Sequence, residues 1–415
     1  MVQFGRHNFF LFLFFFMVAI SPAGALDEIV TPKTFTFAEP PHEFILENGQ
    51  KLGPITVDYE TYGKLDPDGG NAILIMHGSG GTAHAAGRNR PGGPLGWWDG
   101  LIGPGKPFDT EKYFVIAPHA LSNGHRDNKP GSRTTGPNSI NPRTGKPYAM
   151  RFPIITIRDM ARVNMELLKH LGVKHLVVVS GVSLGGYTAL EFICTFPDSV
   201  DGAIPVVARG RSSAQHMANH LVRRAAIMND PNWQGGDYYD TGRYPLIGVA
   251  IANMTSASSY NASPYWYENN LIPADPSKSP YEAYSNLFVM EKELWEAALR
   301  SAETGMDANC YLIQSRALTL QNIGWKRGDY SRGWGANEAD GLGLVKADVL
   351  MMPSKTDGSV RPNFAEEVVD ILRTMGKKAK LHVIDSEKGH NGFTEYYQMI
   401  PVMNEFIKSL PSAKK

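Results

Sequence analysis

Residues Val177–Gly186 read V-V-V-S-G-V-S-L-G-G. A β-branched run enters a G-x-S-x-G pattern at Gly181, Ser183 and Gly185, and a helix-compatible run, Tyr187 to Phe192, follows directly. In a strand–turn–helix context this pattern holds one serine at the exposed tip of a tight turn, where its hydroxyl can attack an acyl carbon. A serine hydroxyl is a weak nucleophile until a base removes its proton. The base must be oriented, and the developing oxyanion needs hydrogen-bond donors. The chain offers one candidate for each role. His390, in K-G-H-N-G, is the candidate base, and Asp357, in T-D-G, is the carboxylate that would fix the imidazole tautomer. The oxyanion donors would be the backbone amides of Leu184, which follows the nucleophile, and of Ser79, in H-G-S-G-G.

Each of these residues has a plainer reading. Ser183 can sit in a simple strand-to-helix turn, and Asp357 and His390 can be turn residues. The agreement of order, spacing and strand context outweighs these readings. Asp357 and His390 each follow a late apolar run, Ala347–Met352 and Lys380–Ile384, at the sheet edge where open α/β folds place function. The order Ser183, Asp357, His390 is that of the α/β-hydrolases and of neither common serine-protease arrangement. Asp348 stands at the start of its run, the wrong end for a site, and His382 lies inside a predicted strand and reads as structural. His77–Gly81 lacks the G-K-[ST] ending of a phosphate-binding loop.

These residues need a sheet to position them. Asn71–Met76, Tyr113–Ala117, Val173–Val179 and Val200–Val207 are short apolar runs of the kind buried in parallel sheets. Phe35–Phe37, Phe44–Leu46 and Ile55–Tyr62 read as edge strands. Thr156–His170 places Ile157, Met160, Val163, Leu167 and Leu168 on one helical face. The alternation of strand and helix predicts an α/β fold with a mostly parallel central sheet covered on both faces. From Arg209 to about Asp340 the period becomes helical, as in Gln215–Met228 and Glu291–Ser301. Aromatic residues cluster there at Tyr260, Tyr265, Trp266 and Tyr267, with irregular chain at Gly324-Trp325 and Gly333-Trp334-Gly335. The predicted organisation is a leader at 1–25, a first core part at 26–208, a mostly helical lid at 209–340 and a second core part at 341–415, with helices at Phe364–Met375 and Thr394–Leu410.

The 415 residues are 42% hydrophobic and 20% charged, enough for a large core. Lysine plus arginine and aspartate plus glutamate both number 41, so nothing suggests a nucleic-acid or acidic-membrane partner. Arg6 and His7 precede the apolar run Phe9–Ile20, and Ser21–Ala25 supplies small residues. This is the pattern of a secretory signal cleaved after Ala25, and it implies a periplasmic or secreted protein. The alternative is an uncleaved anchor, although the run is short for a span of roughly 20 apolar residues. Cys194 and Cys310 are the two cysteines. They could form one disulfide or remain buried thiols.

The collected residues resemble the homoserine O-acetyltransferase-like group of the α/β-hydrolases. The resemblance runs from about residue 40 to 395. It includes Y-E-T-Y-G-K-L at 59–65, G-W-W-D-G-L-I-G-P-G-K-P at 96–107, T-G-P-N-S-I-N-P at 135–142, F-P-I-I-T-I-R-D-M at 152–160 and D-P-N-W-Q-G-G-D-Y at 230–238. It implies a double-displacement mechanism in which acetyl passes from acetyl-CoA to the serine and then to the homoserine hydroxyl. It assigns Ser183, Asp357 and His390 to the triad and the amides of Ser79 and Leu184 to the oxyanion hole. It also implies a helical lid and a homodimer built through that lid. Arg211 fits the family's A-R-x-S-A-Q arginine, which would bind a substrate carboxylate or pair within the lid. The family has H-A-L-T-G where this chain has His77–Gly81. It has an aspartate after the histidine where this chain has Asn391. Its lid pattern A-R-M-x-G-H-x-x-Y meets Ala252–Tyr260, which lacks the arginine and the histidine but keeps Tyr260.

The leader and Asn391 favour an exported serine esterase that hydrolyses short-chain, acetyl-type esters through an acyl-serine. The alternative is an acyltransferase that moves the acyl group to homoserine or another small alcohol. A non-enzymatic binding module is the third reading. Arg211, Asn391 and Tyr260 are the candidate substrate contacts. The proposed chemistry requires no metal and no organic cofactor, and the expected partner is a small-molecule ester.

Overall fold

The structure is a computed structural model that describes residues 29–127, 130–260, 271–279, 281, 284, 287–327 and 337–414. The leader, Tyr265–Tyr267 and Gly333–Gly335 lie outside the described residues. No helix among the described residues is long and apolar enough to cross a membrane.

The chain opens with strand β1 (Lys33–Phe37), a short hairpin β2–β3 (Phe44–Ile45, Lys51–Leu52), β4 (Ile55–Tyr62) and β5 (Ala72–Met76). Then follow β6 (Phe114–Pro118), a second hairpin β7–β8 (Ile140–Asn141, Lys146–Pro147), α1 (Ile157–His170), β9 (Leu176–Val182), α2 (Leu184–Thr195) and β10 (Val200–Val206). A helical stretch comes next: α3 (Ala214–Met228), α4 (Leu246–Tyr260), α5 (Val289–Thr304), α6 (Ala308–Thr319) and α7 (Glu338–Leu342). The chain closes with β11 (Asp348–Met351), α8 (Pro362–Thr374), β12 (Ala379–Leu381) and α9 (Tyr396–Ser409).

Eight strands form one sheet in the order β1-β4-β6-β5-β9-β10-β11-β12. The β1–β4 and β4–β6 pairs are antiparallel, and the rest are parallel. Every residue of β5 and β9 is buried. A parallel strand covered on both faces must be apolar at every position, which is why these runs do not alternate. Alternation survives as a division between two cores. Ala72, Leu74 and Met76 join one core with α1, α2 and α8. Ile73 and Ile75 join the other, with Trp98, Phe108 and α9. A reciprocal cap between Thr156 and Asp159 starts α1 and so fixes the helix against the sheet.

Two strands depart from the sequence reading by three residues, and the other predicted strands by two or fewer. The central strand runs 176–182, not 173–179, because Gly172 turns at φ +78° and Lys174 hydrogen-bonds back to Gly69. Ladder pairing therefore begins at Leu176. The last strand stops at Leu381, and Ile384 contributes only an isolated bridge to Ser354.

No described residue between 207 and 347 joins the large sheet. Helices α3 to α6 instead share a small core of their own, including Ile227, Val249, Ala252, Ala298, Ala302 and Leu312. Cys194 and Cys310 are both free and buried. Cys310 Sγ lies 3.4 Å from Asn138 Oδ1.

Candidate active site

β9 ends at Val182, and Ser183 is the residue that caps α2. Its backbone sits at φ +53°, ψ −116°, a region costly for a residue with a Cβ. The surroundings hold it there. The Ser183 amide donates to Val206 O at 3.0 Å, and a Cβ at Gly185 would overlap the Met76 carbonyl. Leu184 is the first residue of α2, so its amide belongs to the helix turn that has no intrahelical acceptor.

The loops after β11 and β12 carry Asp357 and His390. Ser354 Oγ donates to Gly389 O at 2.6 Å, Thr356 Oγ1 donates to Ser386 O at 2.7 Å, and the Gly389 amide donates to Thr356 Oγ1 at 3.0 Å. These bonds fix the two loops to one another. Across them, His390 Nδ1 donates to Asp357 Oδ2 at 2.6 Å. Asp357 Oδ1 accepts the amides of Ser359 and Val360, each at 2.8 Å. Both side chains are buried. With the ring proton committed to Asp357, the lone pair stays on Nε2. That atom is buried and has no hydrogen-bond partner among the described residues. An imidazole in this state can accept a proton from a nucleophile. Tyr260 stacks on the His390 ring at 4.5 Å and 17°. Burial pushes the phenol of Tyr187, in the first turn after Ser183, upward; the Arg209 guanidinium opposes this, and Asp357 and Tyr260 reinforce it. Asp357, Tyr260 and the start of α2 therefore share one neighbourhood.

The loop after β5 passes directly beside the nucleophile. A Cβ on Gly78 would lie 3.5 Å from Ser183 Cβ. His77 pins the start of this loop: its Nδ1 bonds Gly78 O at 2.7 Å, and its Nε2 accepts the Ala120 amide at 3.0 Å. Burial pushes its pKa down to about 4, so the ring is neutral, as acceptance at Nε2 requires. Asn123 pins the other end. Its Oδ1 accepts the Gly80 amide at 3.1 Å and Gln314 Nε2 at 2.7 Å, while its Nδ2 donates to Gly81 O at 2.8 Å. Sequence reasoning named Ser79 and did not name Asn123 or Gln314. The one available signal was the length of the Gly- and Asn-rich stretch that contains Asn123.

A cavity of about 340 Å³ lies between this loop and the helical block. Ser79, Gly80, Arg223, Asn253, Tyr260 and Tyr311 are among its walls. Of the three predicted substrate contacts, the structure brings only Tyr260 to the cavity. Arg211 pairs instead with Glu338 at 3.0 Å and Glu367 at 3.7 Å. Asn391 is exposed and lies outside the cavity lining, and its backbone N–H donates to Lys388 O at 3.1 Å.

A family model described as alpha/beta hydrolase fold matches residues 71–294. The homoserine O-acetyltransferase of Moorella thermoacetica is 38% identical over 388 residues, which cover 92% of this chain and 97% of that one. The crystal structure of homoserine O-acetyltransferase from Bacillus anthracis superposes with a TM-score of 0.84 at 34% identity, covering 92% of this chain and 99% of that one. The structure of esterase E22 superposes with a TM-score of 0.82 at 31% identity, covering 91% of this chain and 100% of that one. These likenesses fit the acyltransferase alternative better than the esterase expected first.

Proposed function

We propose that this chain, which belongs to the homoserine O-acetyltransferase-like group of the α/β-hydrolase family, moves an acyl group from a small ester to a small hydroxyl acceptor through an acyl-Ser183 intermediate. The observation that carries this reading is His390, with Nδ1 held by Asp357 at 2.6 Å and Nε2 buried and unpartnered. In this mechanism Ser183 Oγ attacks the ester carbonyl as His390 Nε2 takes its proton. The amides of Ser79 and Leu184 hold the oxyanion, a contribution of about 2.7–4 kcal/mol per donor in comparable sites. The leaving alcohol departs with the proton from His390. The acceptor hydroxyl then gives its proton to His390, attacks the acyl carbon and regenerates Ser183. The described helices α3 to α6, which wall the cavity, form the lid.

Hydrolysis is the second reading, and two residues favour it. Asn253 lines the cavity where the family pattern has arginine, and Asn391 follows His390 where the pattern has aspartate. Both are neutral, so the cavity wall at Asn253 lacks the positive charge of the family pattern, and the residue after His390 lacks the negative one. Water needs neither.

The test is p-nitrophenyl acetate turnover with and without homoserine and other small alcohols, followed by product analysis. An acetylated alcohol in excess of acetate is the expected result. Acetate as sole product overturns transfer in favour of hydrolysis. A wild-type protein that shows no nitrophenol burst and no phosphonate labelling at Ser183 overturns both readings.

A further inference from the structure

Two largely buried arginines in this fold are paired with carboxylates. Arg158 bonds Glu47 at 2.8 Å and Glu191 at 2.6 Å, and Arg327 also pairs with Glu191. Arg223, on α3, is different. It is 2% exposed and lines the cavity beside Ser79. One Nη donates to Ser259 Oγ at 3.0 Å, and the guanidinium carbon lies 5.7 Å from the Tyr260 ring centre. Its Nε has no acceptor among the described residues. The guanidinium also hydrogen-bonds the phenols of Tyr260 and Tyr311. A buried guanidinium keeps its charge, and these neutral hydroxyls do not neutralise it. Arg209 also has an unpartnered nitrogen, but it lies over Phe364 and does not line the cavity.

The described walls of the cavity contain no aspartate or glutamate. His220, also in the wall, does not add to the charge. Its pKa is pushed down to about 2 by burial and by Arg223, Arg224 and Arg209, and it bonds Ser315 and His216 as a neutral ring. The described walls therefore present one formal charge, positive, with neutral hydroxyls and amides around it. A carboxylate satisfies it. An ammonium finds no counter-charge among the described residues of the wall. The volume is at the lower end for ligand pockets, which limits the ligand to a small molecule.

We infer that this cavity is an anion-reading subsite built on Arg223, and that its ligand is a small hydroxycarboxylic acid, or the O-acyl ester of one, without an amino group. The inference rests on the acyl-transfer reading above and names its substrate class. The acid enters with its carboxylate on Arg223 and its hydroxyl, or ester, toward Ser183.

The experiment compares 4-acetoxybutyrate with its methyl ester as substrates, and measures butyrate and butyramide binding to the Ser183→Ala protein by calorimetry. The wild type should prefer the acid over its methyl ester by about tenfold or more in kcat/KM. Arg223→Met should collapse that ratio toward one, and Arg223→Lys should keep part of it. Butyrate should bind Ser183→Ala more tightly than butyramide. No preference for the acid in the wild type, or an undiminished ratio in a folded Arg223→Met, overturns the subsite. The two proposals fail separately. Selective butyrate binding by a wild type inert toward every ester overturns acyl transfer and keeps the anion subsite. Turnover of both esters at equal efficiency does the reverse.

Discussion

Asp357→Asn tests the catalytic assignment through the direction of single protons. Asp357 Oδ1 accepts two backbone amides, from Ser359 and Val360, at 2.8 Å each, while Oδ2 accepts from His390 Nδ1 at 2.6 Å. An asparagine has one acceptor oxygen and one donor nitrogen. If its oxygen stays on the two amides, its NH2 group points at Nδ1. The imidazole must then carry its proton on Nε2, where it cannot accept one from Ser183. If the amide flips, the NH2 group faces two buried N–H groups, at about 1–3 kcal/mol for each donor left unsatisfied. Restoring the useful tautomer therefore costs about 2–6 kcal/mol, a rate loss between about 30-fold and about 10⁴-fold. The upper end is the loss this substitution produces in a Ser-His-Asp triad. Stopped-flow acylation with p-nitrophenyl acetate measures it directly, with a thermal melt to verify folding. A folded variant that acylates within tenfold of wild type would refute the tautomer argument and remove Asp357 from the mechanism.

Asn123→Ala removes the acceptor of the Gly80 amide and the donor to Gly81 O, which loosens the loop that carries Ser79. The expected result is a fall in kcat of about 10–100-fold with KM changed by less than about threefold, since an oxyanion donor acts in the transition state. Equal effects on kcat and KM in steady-state assays would contradict a positioning role. Glu338 predicts a pH dependence of stability. Its carboxyl is pushed up to about 7 by burial and by Glu367, and the Arg211 ion pair opposes the shift without cancelling it. An unfolded glutamate titrates near 4.3. Between about pH 4 and 7 the folded chain therefore holds a proton that the unfolded chain has lost. This contribution is complete at the acid end and is lost as pH rises through 7, by at most about 4 kcal/mol. Glu338→Gln should flatten that decline in urea unfolding measured from pH 5 to 8, and an unaltered slope would count against it.

What the sequence made visible follows from the range of each signal. The elbow is local: a buried strand, a G-x-S-x-G turn and a helix within twenty residues. Asp357 and His390 were found because each follows a late strand of the same sheet. Asn123 carries no such mark. It lies in irregular chain, and its partners, Gly80 and Gln314, are 43 and 191 residues away. Arg223 stands in an Arg-Arg pair on a helix and belongs to no motif; in the structure it is buried in the wall of the cavity. Arg211 had two readings, a substrate carboxylate or a partner within the lid, and the structure gives the second. Its fit to a family motif could not reveal Glu338, 127 residues on, which takes its guanidinium.

The backbone alone cannot decide between water and an alcohol, since a homoserine O-acetyltransferase and an esterase superpose on this chain almost equally well, at TM-scores of 0.84 and 0.82. The decision must lie in side chains, and the hydrogen bonds show how lid and core communicate. His220, one turn before Arg224 on α3, bonds Ser315 on α6 at 2.8 Å, and Arg224 bonds the same hydroxyl at 3.1 Å. The adjacent Gln314 bonds Asn123 at 2.7 Å, and Asn123 bonds the Gly80 amide at 3.1 Å. These bonds tie α3, through Ser315 and the neighbouring Gln314 of α6, to the loop that carries the proposed oxyanion donor. Arg223 stands outside them, with its hydrogen bond to Ser259. An acid acceptor would therefore compete with water at the acyl-enzyme by being held in the proposed Arg223 subsite, a hold that water lacks.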